Sequence, residues 1–156
     1  MGFRYFEDFQ LGEKTDLGSH RVTEEEMLAF ARAYDPQRIH VDRAFAEAGG
    51  FGGLIGSGWH TCAMFMRLFV DGLLYESSAI ASPGVDTIRW IRPVRAGDEL
   101  RAEVVVIEVT PSRTKPDRGL VKHDCRVVNQ DNELVMTLRS LALFARRPLP
   151  GPAASG

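Results

Sequence analysis

The sequence predicts an α+β domain in which an antiparallel sheet covers one long buried helix. Residues 59–74, WHTCAMFMRLFVDGLL, are apolar almost all round, and a helix with no polar face is a buried one. From residue 84 the hydrophobic period changes from helical to two, most clearly where Leu100, Ala102, Val104 and Val106 alternate with Glu99, Arg101 and Glu103. The stretches Arg95–Asp98, Pro116–Gly119 and Gln130–Asn132 carry turn chemistry. Such short links make consecutive strands pair antiparallel.

The elements follow in order. A lead-in with aromatic anchors Tyr5, Phe6 and Phe9 precedes an irregular strand over 13–22. Thr23 and Glu26 have capping-box spacing, and Met27, Phe30, Ala31 and Tyr34 then share one helix face. Pro36 disfavours helical geometry at Asp35 and ends that helix. DRAFAEA, 42–48, forms a second short helix with Asp42 as its N-cap. GGFGGLIGSG, 49–58, holds six glycines in ten residues. It is no dinucleotide loop, because its order is G-x-x-G-x-G, no strand leads in and no βαβ unit follows. Glycine also admits close approach of backbone to a ligand. Gly58 opens the buried helix, where free N–H groups carry partial positive charge. That helix is too short and too interrupted to span a membrane. Strands over 85–94, 98–110, 119–130 and 133–145 complete an antiparallel meander. The second sheet face keeps Val105, Ile107 and alternate apolar residues of the last strand, which predicts a homodimer or larger homo-oligomer.

The 156 residues suit one domain over 1–147, followed by a Pro-, Gly- and Ala-rich tail over 148–156. A net charge of −2 gives no pull toward nucleic acid or an anionic membrane. The start, MGFRYFEDF, shows no secretory signal. Cys62 and Cys125 lack metal-ligand spacing, so reduced thiols in a cytoplasmic protein are expected.

Asp35 and His40 flank the helix break. Alone, an Asp before Pro is a common turn opener, and a lone His near a core is usually just hydrogen-bonded there. Here a glycine-rich loop and a buried helix N-terminus follow within about twenty residues. An acid–base pair beside a preformed anion site is what enolate chemistry needs.

The runs YFEDFQLG, VTEEEMLAFARAYD, DPQRIHVD, FGGLIGSGWHT and VDTIRWIRPVRAGDEL resemble, in that order, the MaoC-like acyl dehydratases, which include the (R)-specific enoyl-CoA hydratases. The resemblance extends to about Arg147. It implies a hot-dog fold, an antiparallel sheet wrapped round one long helix, usually assembled as a dimer. It also implies that Asp35 and His40 stand at the Asp and His of the signature D-x-N-P-x-H, where they hold and activate a water. Gln37 and Arg38 stand at the Asn and Pro. Gly58 matches the helix-start glycine, with Ser57 where a His is often found. Ala63 stands where some hydratases carry a hydroxyl. Ser57, Gly53 and Gln37 join Gly58 as candidate substrate or oxyanion contacts.

The implied reaction is hydration of a trans-2-enoyl thioester to an (R)-3-hydroxyacyl product, or its reverse, with coenzyme A as part of the substrate and no separate cofactor. Asp35 and His40 share the acid and base roles in either order, and the Gly58 N–H stabilises the thioester oxygen. His60 and Thr61 either face the pocket or are buried and satisfied by backbone. His40 and Asp42 lack the further ligands a metal needs. Arg89, Arg92, Arg95, Arg113, Lys115 and Arg118 include candidates for coenzyme A phosphates, although a solvated role is expected for any one of them. Trp59 and Trp90 read as core or interface aromatics. Arg38 either points to solvent or reaches the acyl region, where it would favour a short or polar acyl group. Two other functions compete: a hot-dog thioesterase, which needs an acid or base that Arg67 and Asp71 do not obviously supply, and a non-catalytic acyl-thioester-binding subunit.

Overall fold

The computed structural model describes residues 2–149, so most of the predicted tail, from 150 onward, lies outside the described residues. Strand β1 (Lys14–Arg21) is followed by helices α1 (Glu24–Tyr34), α2 (Arg38–Val41), α3 (Arg43–Ala48) and α4 (Gly58–Phe69). Strands β2 (Ala79–Trp90), β3 (Glu99–Pro111), β4 (Arg118–Val128) and β5 (Leu134–Ala145) complete the chain. Thr23 caps α1, accepting from the Glu26 N–H, and Asp42 caps α3, accepting from the Phe45 N–H, as their spacing predicts. A π-helical turn, Val70–Leu74, continues α4. Gly72 lies in it because a Cβ there would stand 3.0 Å from the Leu17 backbone.

The strands form one antiparallel sheet in the order β1-β3-β4-β5-β2. Its inner face presents Ala102, Val104, Val121, Cys125 and Val127, which join Met64, Phe65, Leu68 and Phe69 of α4 in one buried core. This is the hot-dog arrangement. Burying a large apolar side chain is worth about 1.5–3 kcal/mol, so the α4 residues alone bind helix and sheet into one unit.

Three expectations are corrected. The sheet is not a full meander: β3, β4 and β5 follow that path, but β2 lies at the far edge beside β5. The link 91–98 carries the chain from that edge back to β3, and its buried Val94 accepts a hydrogen bond from the Gly56 N–H. Second, the strand expected over 85–94 begins earlier, at Ala79, runs through Ser82-Pro83-Gly84 and ends at Trp90. Proline is tolerated on an edge strand, and the register of β2 against β5 shifts three times. Third, α4 is not buried all round, because Trp59, Ala63 and Met66 share an exposed face. The outer sheet face keeps half-buried Val105, Ile107, Leu141 and Leu143, as expected, among ion pairs of Lys122 with Asp86 and Glu108 and of Arg139 with Asp124. A more exposed apolar surface lies along α4 and β2, where Ile80, Val85 and Trp90 are exposed.

Strand β4 also turns His123 into the core. Its ring is fully buried among Phe9, Phe69 and Phe144, and neither ring nitrogen has a hydrogen-bond partner among the described residues. Burial, aided by the nearby Arg4 charge, pushes its pKa down from 6.5 to about 4. Between those values the unfolded chain binds a proton that the folded chain refuses, so stability falls as pH drops through this window. Such a shift corresponds to about 3 kcal/mol. Urea midpoints measured from pH 7 to pH 4 should fall more steeply for the wild type than for His123→Leu. Parallel curves would remove His123 as the source.

Candidate active site

The site is assembled where α1 ends. The Asp35 N–H still closes the last turn of α1 on the Ala31 carbonyl, while its own φ of −148° is extended, as expected before proline. The chain then forms the one-turn helix α2, absent from the sequence reading, which turns His40 inward. The His40 side chain is 7% exposed and that of Asp35 16%. Asp35 Oδ2 lies 3.4 Å from His40 Nε2. That gap exceeds a good hydrogen bond, so the two groups converge on shared space without closing it.

Each group is oriented by a second contact. His40 Nδ1 lies 2.8 Å from the Ile55 carbonyl oxygen. A carbonyl only accepts, so Nδ1 carries a proton and Nε2 is the nitrogen turned toward Asp35. Asp35 accepts from the Ser57 hydroxyl at 2.6 Å on Oδ2 and from the Gln37 amide at 2.7 Å on Oδ1. The hydrogen bond from Ser57, then that from Gln37, holds the Asp35 carboxyl below its ordinary range against the opposing effect of burial. Asp35 is therefore a carboxylate at neutral pH.

Ser57 is fully buried and caps α4, its oxygen accepting from the Trp59 N–H. Its hydroxyl is directed at Asp35, and it is not among the residues that line the cavity. Gly58 is the first residue of α4, and no hydrogen bond among the described residues takes up its N–H. Trp90 lies against it, donating from Nε1 to the Gly58 carbonyl at 2.9 Å. A Cβ on Gly58 would meet the Trp90 ring at 2.5–2.8 Å, so only glycine fits.

Asp35, Gln37, His40 and Gly58 line one cavity of about 370 Å³, with Thr61, Trp59 and Trp90. Gly53 does not line it; it lies near Arg95, which anchors the glycine loop by donating to the Phe51 carbonyl. His60 turns the other way and stacks on Phe30 of α1. Arg38 is also outside: its side chain is 66% exposed, pairs with Asp42 at 2.9 Å and lies over the Phe45 ring. It is turned away from the acid–base pair. Of the arginines considered, Arg92 lines the cavity. The two tryptophans escaped the sequence reading as site residues because only the register of β2 brings Trp90 to the start of α4. Cys125 is buried and its pKa is pushed up to about 12, which leaves an inert thiol. Among the described residues no cluster of three or more His, Cys, Asp or Glu side chains could hold a metal ion, and no helix is long and apolar enough to cross a membrane.

A sheet wrapped round a central helix, with an Asp/His pair facing that helix's N-terminus, defines a hot-dog protein of the hydratase and dehydratase kind. The profile of the family described as "MaoC like domain" matches residues 8–144, and the chain belongs to that family. It is 32% identical over 109 residues to the uncharacterized protein YdeM of Bacillus subtilis, covering 70% of this chain and 77% of YdeM. It is 29% identical over 117 residues to a 3-hydroxybutyryl-CoA dehydratase of Methylorubrum extorquens, covering 71% of this chain and 69% of the relative. The crystal structure of a MaoC-like dehydratase from Rhodospirillum rubrum superposes with a TM-score of 0.85 at 39% identity, over 94% of this chain and 99% of that one.

The fit of Trp90 on Gly58 is testable by stability. Overpacking typically costs about 1–3 kcal/mol, and Gly58→Ala should lose that much in urea unfolding. In the Trp90→Ala background the same change should cost much less, because the clashing ring is gone. Equal costs in both backgrounds would contradict the contact.

Proposed function

We propose that the protein adds water reversibly to a trans-2-enoyl-CoA, giving an (R)-3-hydroxyacyl-CoA. The observation that carries this reading is His40 Nε2 facing the Asp35 carboxylate across 3.4 Å, beside a Gly58 N–H that no hydrogen bond among the described residues takes up. A water held between Asp35 and His40 gives a proton to Nε2 as its oxygen attacks the β-carbon. The thioester oxygen gains negative charge, which the Gly58 N–H stabilises. The imidazolium, steadied by Asp35, then returns the proton to the α-carbon as the enolate collapses. Atoms balance with water alone, so no separate cofactor is required. Asp35 acts as orienting and electrostatic partner rather than as acid, because its two donors keep it ionised. The 3-hydroxybutyryl-CoA dehydratase relative supports the substrate class.

The competing readings gain nothing from the geometry. A thioesterase would need an acid or base on α4 or across an interface, and on α4 Arg67 and Asp71 pair with each other on the exposed side. A binding subunit would tolerate loss of the signature amide, yet Gln37 still donates to Asp35. The exposed apolar strip of α4 and β2 supports a homodimer.

A positioned acid–base group contributes roughly 10²–10⁴-fold. His40→Ala and Asp35→Asn should therefore slow crotonyl-CoA hydration by about that factor without unfolding the chain, while thiol release stays absent throughout. Arg38→Ala should hydrate at close to the wild-type rate. Near-wild-type turnover in either of the first two variants would remove the acid–base assignment.

Sedimentation at low micromolar concentration should show a dimer. A fully active monomer would send the α4 and β2 strip back to ordinary exposed surface.

A further inference from the structure

The cavity beside Asp35 and His40 is one of two that meet at Trp59. The second is a groove of about 570 Å³ between α4 and strands β2 and β5, floored by Phe65, Phe69, Leu138 and Ala142. Its walls are overwhelmingly apolar, with Ser82 and Ser140 as the only hydroxyl side chains among them. Trp59 lines both spaces. Its ring meets Trp90 edge to face, with centroids 5.3 Å apart and planes at 75°. Trp90 is in turn fixed by its hydrogen bond to the Gly58 carbonyl. The two rings therefore form a partition whose one half is pinned to the backbone of the proposed oxyanion site.

Resting on the hydratase reading above, we propose that this tryptophan pair is the acyl-depth stop and limits the protein to short enoyl chains of about four carbons. The thioester must place its oxygen at the Gly58 N–H and its β-carbon at His40, so the bound group is fixed at both points. The pantetheine arm needs an open route, and the cavity offers one past Phe51 and Arg92, both exposed to solvent. The acyl chain is left with the apolar direction, which ends on Trp59 and Trp90. A longer chain meets the ring edge before it can enter the groove. The groove is otherwise suited to alkyl carbon, and its floor belongs to a single chain, so a partner covering α4 and β2 roofs it without supplying that floor. Trp59 is 57% exposed in the single chain, outside its core, and sedimentation checks that each Trp59 variant keeps the assembly state of the wild type. Arg38 takes no part, and chain length is set by shape rather than by charge.

The test compares wild type, Trp59→Ala and Trp59→Leu, each checked for folding by thermal unfolding. Hydration of crotonyl-CoA and trans-2-octenoyl-CoA is measured beside calorimetric binding of butyryl-CoA and octanoyl-CoA. Contacts of one or two methylenes in an apolar pocket discriminate by about tenfold or more. Wild type should favour the four-carbon member in both assays, and Trp59→Ala should raise the eight-to-four ratio by about tenfold or more, with Trp59→Leu in between. Ratios unchanged in both folded variants, or a wild type that already prefers eight carbons, would overturn the depth stop. Absence of hydration by the folded wild type would sink the hydratase reading instead, and the binding ratios would still decide the partition.

Discussion

The hydrogen bond from the Ser57 hydroxyl to Asp35, 2.6 Å long and fully buried on the serine side, ties the end of α1 to the beginning of α4. The hydroxyl donates to the carboxylate while its oxygen accepts from the Trp59 N–H. A side chain that only donates, or only accepts, cannot do both. This one residue therefore sets how the C-terminus of α1 faces the N-terminus of α4. Everything that gives the site its chemistry is measured from that junction: the position of the carboxylate, the gap to His40 Nε2 and the direction of the Gly58 N–H. Hydrogen bonds to charged groups are among the stronger ones, and here such a bond lies between elements rather than within one.

What could be read from the sequence is what depends on near neighbours. Thr23 with Glu26, Pro36 after Asp35 and Asp42 before α3 are local capping and breaking signals, and each acts where its spacing places it. Strands β3, β4 and β5 follow their period of two because one face meets α4 and the other meets water. What could not be read depends on distant partners. Ser82-Pro83-Gly84 has the composition of a turn, and only its position at the sheet edge makes it a strand. The turn α2 is too short for any periodicity, yet it sets the direction of His40.

The same division holds inside the site. Asp35 and His40 stood out by spacing, and Gly58 by its place before an apolar helix. Ser57 was a candidate substrate contact by its place before Gly58; it is fully buried, with its hydroxyl on Asp35. Arg38 looked consequential because it is charged and two residues from His40. In a single helical turn that spacing puts the two on opposite sides, so Arg38 faces Asp42 and Phe45 at the surface. Gln37, the milder departure, keeps the function of an amide by reaching Asp35 Oδ1.

The division of labour between the two site residues follows from their backbone and side-chain neighbours rather than from their intrinsic acidity. Asp35 is surrounded by donors, which favour its charged form. His40 has one fixed acceptor at Nδ1, the Ile55 carbonyl, which confines its mobile proton to Nε2. The carbonyl belongs to the glycine-rich segment, so the loop orients the proposed base as well as leading into the proposed oxyanion site. One stretch of chain, 55–58, thus holds the His40 ring through Ile55, favours the charged form of Asp35 through Ser57 and presents the N–H of Gly58. Each group is held by the chain a few residues from the next, so the three share one rigid junction.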